Sequence, residues 1–158
     1  MMKNYKFLTL LLAGFLLLHS GMASARMSGV KYEDFTLTSA SGESVTLSQF
    51  QGKNPVLLVF FATWCPPCRR EVPHLVDLQN QYAGKGLKIL AIDIDEPADL
   101  VNRFIQETGI NYTVLLDQGG QIAEKYKVTG IPTNILFDKQ GVVQYAGNAP
   151  PRNIEDVL

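Results

Sequence analysis

The chain has 158 residues, a formal net charge of −1, 46% hydrophobic residues and 18% charged residues. That length fits a single domain, the composition suits a packed core and not disorder, and the near-neutral charge excludes a protein built to follow a nucleic-acid backbone.

The N-terminus reads as a separate object. Lys3 and Lys6 open it, an apolar run follows from Phe7 to Leu18, and Ala23-Ser24-Ala25 has the small-x-small form of a signal-peptidase site. This predicts a signal peptide over 1–25 and a folded domain over 26–158, delivered to the periplasm or another extracytoplasmic space. An uncleaved anchor is the rival, although the run is shorter than the ~20 apolar residues a membrane-crossing helix needs.

After that come two short alternating runs, Phe35–Thr38 and Ser44–Leu47, separated by Ser41-Gly42-Glu43, which predict a hairpin. Val56–Phe61 is continuously apolar, as a strand buried on both faces is. From Pro66 to Tyr82 the period changes: Cys68, Val72, Leu75, Leu78 and Tyr82 recur at steps of three and four, a helix face. Leu87–Ile94 predicts another buried strand. Asp95 is expected to cap the next helix, whose inner face is read as Leu100, Phe104 and Ile105 and whose end is read at Gly109. Thr113–Leu116 predicts a strand and Gln121–Lys127 a short helix. Thr133–Phe137 and Val142–Ala146 read as an antiparallel pair, and a last helix begins at Arg152. Strands alternating with helices, with a hairpin late, predict an α/β fold around a mixed sheet.

The chemistry gathers at Trp64-Cys65-Pro66-Pro67-Cys68. A bridge between such close cysteines closes too small a loop to act as a useful staple, so this pair points to redox work. Cys65 falls where a strand ends and a helix begins, and unpaired N–H groups with the positive helix end favour a thiolate there. Thiolate is the reactive form, and C-x-x-C motifs lower its pKa to roughly 3.5–7.5. Pro66 and Pro67 occupy the first helical turn, where a missing N–H costs little. Pro67 withholds one of the amides an N-cap sulfur draws on, which leaves Cys68 as the main donor. Cys68 lies on the apolar face and is expected to be shielded. Trp64 can cover the pair or touch a partner. Glu71, one turn beyond Cys68, is either a base for that thiol or a solvated helix carboxylate. His74 reads as a surface or packing residue. In Gly130-Ile131-Pro132-Thr133, a proline ahead of a buried strand can be cis, which frees nearby backbone for an extended substrate.

The stretch Phe60-Phe61-Ala62-Thr63-Trp64-Cys65-Pro66-Pro67-Cys68-Arg69-Arg70-Glu71-Val72-Pro73, with Gly130-Ile131-Pro132-Thr133 downstream, resembles the thioredoxin superfamily. More narrowly it resembles the TlpA/ResA-like exported thiol–disulfide oxidoreductases, from about Tyr32 to Gly147. The resemblance implies a thioredoxin-like fold with an N-terminal hairpin and a central strand–helix insertion between Leu87 and Gly109. It implies that Cys65 is the nucleophile, Cys68 the resolving cysteine, Pro132 a cis proline and Glu71 the group's carboxylate. Val59 stands where thioredoxins proper carry a buried acid. Trp64, Pro66, Pro67, Ile131 and Pro132 are then the substrate-contact residues.

The implied activity is reduction of protein disulfides, with apocytochrome c as one kind of client and a membrane thiol–disulfide carrier as electron source. The expected state is a monomer with no cofactor beyond the Cys65–Cys68 disulfide and no bound metal. A general oxidant or isomerase uses the same pair. A copper carrier needs soft ligands that two cysteines supply only in part, and a peroxidase needs a peroxide site that the sequence does not display.

Overall fold

The structure is a computed structural model and describes residues 29–158; the leader expected over 1–25 lies outside the described residues. Ten regular elements follow in chain order: β1 (Thr36–Ser39), β2 (Ser44–Thr46), β3 (Val56–Phe61), α1 (Pro66–Tyr82), β4 (Lys88–Ile94), α2 (Ala98–Thr108), β5 (Thr113–Asp117), α3 (Gln121–Lys125), β6 (Thr133–Phe137) and β7 (Val143–Gly147). The strands form one sheet in the order β2-β1-β5-β4-β3-β6-β7. The pairs β3–β4 and β4–β5 are parallel and every other pair is antiparallel, the mixed sheet that the element order implies.

All six residues of β3 are buried, and alternation along the strand divides them between two cores. Leu57, Val59 and Phe61 pack with Cys65, Cys68, Val72, Leu75 and Phe104 beneath α1 and α2. Val56, Leu58 and Phe60 pack on the other face with Phe35, Leu47, Ile92 and Phe137. Full burial of one such side chain contributes about 1.5–3 kcal/mol. The parallel β3-α1-β4 and β4-α2-β5 crossovers bring the C-terminal ends of β3 and β4 to one edge of the sheet, and the cysteines sit on that edge.

Three readings from the sequence are corrected. Asp95 does not cap α2: its φ is 59° and its carboxylate accepts from the Gly119 amide at 2.8 Å, while Pro97 is the N-cap. The inner face of α2 is Val101 and Phe104, with Leu100 and Ile105 only partly buried; Val101 lies three residues before Phe104 on one helix face, and Leu100 falls toward its edge. The last helix is a 3-10 turn, Ile154–Val157, anchored by Ile154 in the core and by the Tyr82 hydroxyl donating to Glu155. In addition, α3 stops at Lys125, and Lys127 follows at a φ of 55°. At the β6–β7 turn, Gly141 combines a φ of 78° with the Tyr32 ring packed where a Cβ would stand, so only glycine fits.

Candidate active site

The apolar run of β3 ends in the core and hands the chain to Ala62, Thr63 and Trp64 before α1 begins. Cys65 is the α1 N-cap with φ −81° and ψ 111°, and prolines fill the first helical positions. Its sulfur accepts the Cys68 amide at 3.3 Å, and its own amide donates to the Ala62 carbonyl at 3.1 Å. This is the capping arrangement the two prolines predict, with Cys68 as the donor.

The two sulfurs are joined as a disulfide. Both cysteines are 3% exposed, so Cys65 is as covered as Cys68 in this oxidised form, whereas Trp64 between Thr63 and Cys65 is 70% exposed. Pro66 and Pro67 lie at the surface beside it. The Ile131–Pro132 bond is cis, Pro132 is buried, and the Ile131 carbonyl oxygen is 3.8 Å from the Cys65 sulfur. Residues 66 positions apart in the chain thus meet at one sulfur.

Glu71 is half-buried and does not reach Cys68 through a hydrogen bond. Its two carboxylate oxygens accept from the Asn134 amide group at 3.3 and 3.4 Å. Burial pushes its pKa up, and the Asn134 donor pulls it partly back. Asn134 is fully buried on β6, directly across from Val59, and its own Oδ1 has no partner. The residue opposite Val59 is thus an amide that holds Glu71 and supplies no acid. Burial raises the Tyr112 hydroxyl pKa, and the Glu71 charge raises it further. His74 is exposed, as expected of a surface residue.

A second set of polar residues went unnoticed in the sequence. Glu96 reaches back to Thr63, accepting its amide at 2.5 Å and its hydroxyl at 2.7 Å. Arg69 of α1 donates to the Thr63 carbonyl at 3.0 Å and lies 4.9 Å from the centre of the Phe104 ring. Asp93 on β4 accepts the Glu96 amide at 3.3 Å and is fully buried. Burial, and after it the adjoining Glu96, pushes the Asp93 pKa up to about 8. The one available signal was an acid inside an apolar strand, Ala91-Ile92-Asp93-Ile94. Among the described residues, no group of three or more His, Cys, Asp or Glu side chains is placed to hold a metal ion.

A helix-capping disulfide beside a proline-shaped backbone edge is suited to thiol–disulfide exchange. The profile of the AhpC/TSA family matches residues 28–146. Thiol-disulfide oxidoreductase ResA of Bacillus thuringiensis subsp. konkukian is 35% identical over 132 residues, covering 82% of this chain and 76% of its own. The chain belongs to the AhpC/TSA family, as a ResA-like thiol–disulfide oxidoreductase. ResA of Halalkalibacterium halodurans agrees at 32% identity over 85% of this chain and 77% of its own.

Among solved structures, a thiol:disulfide interchange protein of the thioredoxin family from Chlorobium tepidum superposes with a TM-score of 0.72 at 27% identity, over 81% of this chain and 95% of that one. A secreted Mycobacterium tuberculosis disulfide oxidoreductase, described as homologous to E. coli DsbE, gives 0.67 at 27% identity over 73% and 84%. The ResA-like chain therefore has the thioredoxin-like fold that its motifs implied.

Proposed function

We propose that this oxidoreductase is exported and reduces disulfides in other proteins, with Cys65 attacking and Cys68 resolving. The capping of the Cys65 sulfur, next to exposed Trp64 and the Ile131 carbonyl, is the observation that carries the reading. The reduced enzyme attacks a client disulfide with the Cys65 thiolate. One client sulfur leaves and takes a proton, and a mixed disulfide forms. Cys68 then attacks the Cys65 sulfur, the second client sulfur leaves and is protonated, and the Cys65–Cys68 disulfide is restored. Two electrons and two protons have passed to the client. A membrane thiol–disulfide carrier would return the electrons. The ResA and DsbE names among its relatives favour clients of the apocytochrome c kind, whose paired cysteines must be reduced before haem attachment.

Trp64, Pro66, Pro67, Ile131 and Pro132 form the contact surface in this reading. The decisive measurement is the reduction potential of the mature domain. A reductase falls near or below thioredoxin's value of roughly −270 mV, whereas a value near DsbA's, roughly −120 mV, would replace this proposal with an oxidant. Export is checked alongside: a C-terminally tagged full chain should lose residues 1–25 and leave the cytosol. Full-length cytosolic protein would overturn the leader, and full-length membrane-bound protein would make it an anchor. The secreted Mycobacterium tuberculosis relative supports export.

Glu71 is proposed as the base that receives the Cys68 proton, through water or a small side-chain movement away from Asn134. Its raised pKa leaves the carboxylate available only above a higher pH than usual, so resolution should weaken as pH falls through that pKa. Glu71→Gln keeps the shape and removes the base. Stopped-flow reduction of a disulfide peptide should show resolution slowed by roughly 10²-fold, with the first attack little changed. Equal resolution rates at every pH would remove Glu71 from the mechanism.

A further inference from the structure

The β4–α2 turn is shaped to aim one side chain. Asp95 adopts a left-handed backbone, uncommon for a residue with a side chain. It is held there by its amide on the Asp117 carbonyl at 3.1 Å and by its carboxylate on the Gly119 amide. Gln118 fixes the Glu96 carbonyl at 2.7 Å. The reversal turns Glu96 away from solvent, to 6% exposure, and lays its two oxygens on the two donors of Thr63.

Thr63 then has no free polar group. Glu96 takes its amide and hydroxyl, and Arg69 takes its carbonyl. The next two residues are exposed Trp64 and the capping Cys65. Asp93 stands behind Glu96, paired in register with Phe61 and on the cysteine face of the sheet. Its Oδ1 accepts the Glu96 amide and its Oδ2 has no partner. A fully buried carboxylate with one partner is costly; a neutral carboxylic acid is much less so.

We infer that Glu96 and Asp93 are positioning residues: a carboxylate braced by a neighbouring carboxylic acid fixes the Thr63 peptide, and with it the placement of Trp64 and Cys65. The inference rests on the reading of Cys65 as the attacking thiol. While Asp93 holds its proton, the pair carries one negative charge, matched by two Thr63 donors and by Arg69 across the peptide. Loss of the proton adds a second buried charge against Glu96, with Asp117 at the end of β5 also opposing it. The carboxylates separate and the hold on Thr63 loosens. The extra charge near Cys65 also disfavours the thiolate-bearing reduced form.

Trp64 is the chain's sole tryptophan, and the disulfide form has no thiol to titrate. Emission of the oxidised full-length protein, followed from pH 6 to 9.5, should therefore show a transition near 8. Asp93→Asn is close in size and cannot ionise, so it should lack that transition while keeping every other titrating group. In glutathione buffers, wild type and Asp93→Asn should give equal disulfide equilibria at pH 6.5. At pH 9 wild type should be the more readily oxidised, by roughly threefold, a fraction of one pKa unit.

A single flat emission curve in wild type, the same transition in Asp93→Asn, or equal equilibria at pH 9 would overturn the inference. Failure to exchange with glutathione at any pH would sink the exchange reading of Cys65 instead, and the emission titration would still decide the role of the pair. Should Asp93→Asn not fold, Thr63→Val carries the test. It removes one Glu96 donor and should move the transition to higher pH; an unmoved midpoint overturns the inference.

Discussion

Cys68→Ser should accumulate covalent enzyme–client complexes through Cys65, and Cys65→Ser should accumulate almost none. The reason is the position of the second sulfur. Cys68 is buried beside the Cys65 sulfur and donates its amide to it, so in a mixed disulfide it attacks within the molecule. Well-oriented intramolecular reactions reach effective molarities of roughly 10⁵ M and above. Serine at 68 leaves release to whatever external thiol is present at millimolar concentration. Resolution should fall by at least ~10³-fold while the first attack persists. Non-reducing gels of cells or of purified enzyme with a disulfide-bonded client would show the adducts, with mass mapping to Cys65. Comparable adducts from both variants would refute the division of roles.

The second large effect concerns stability against pH. Asp93 has an ordinary value of 3.8 and is held at about 8 in the folded chain. Between these values the folded chain keeps a proton that the unfolded chain has released. The sign follows from linkage: the native state binds more protons there, so stability falls as pH rises through the window and is flat on either side. One such proton changes stability by at most ~1.4 kcal/mol per pH unit, less whatever solvent screening remains.

Asp93→Asn removes that slope. Urea unfolding of the disulfide forms at pH 4.5, 6 and 7.5 should show the variant gaining on wild type at each step. Groups not coupled to Asp93 cancel in the difference. A constant difference across the three pH values would mean that Asp93 ionises as an ordinary surface acid.

What could be read from the chain was what is local. The uninterrupted apolar β3, the three-and-four spacing along α1 and the strand-to-helix placement of Cys65 each fix a short-range feature, and all three hold in the structure. The Cys65 cap held because the prolines leave Cys68 as the donor. What escaped was long-range. Glu96 meets Thr63 across 33 residues, and Asn134 meets Glu71 across 63. Neither pairing leaves a period in the sequence. Asp95 misled because Asp before a proline and an amphipathic run has the composition of a helix cap; its left-handed backbone instead serves the loop after β5. Val101 escaped because Leu100, Val101, Phe104 and Ile105 are all apolar, so spacing alone left the centre of the inner face of α2 open.

The two rims of the sheet are guarded differently. At one, β2 has only three residues, Ser44–Thr46, too short a ladder to invite another chain. At the other, β7 is longer and is blunted twice. A register shift lies between Leu136 and Phe137 on its partner, and the segment around Lys31 lies against its first residues, with the Val143 amide donating to the Val30 carbonyl at 2.9 Å. Among the described residues, extended polypeptide therefore meets no long open strand on which to nucleate a β-aggregate. An enzyme that handles the backbone of other proteins is safest when such short or blunted edges leave the approach to the stretch beside its sulfurs, at Ile131, as the favoured one.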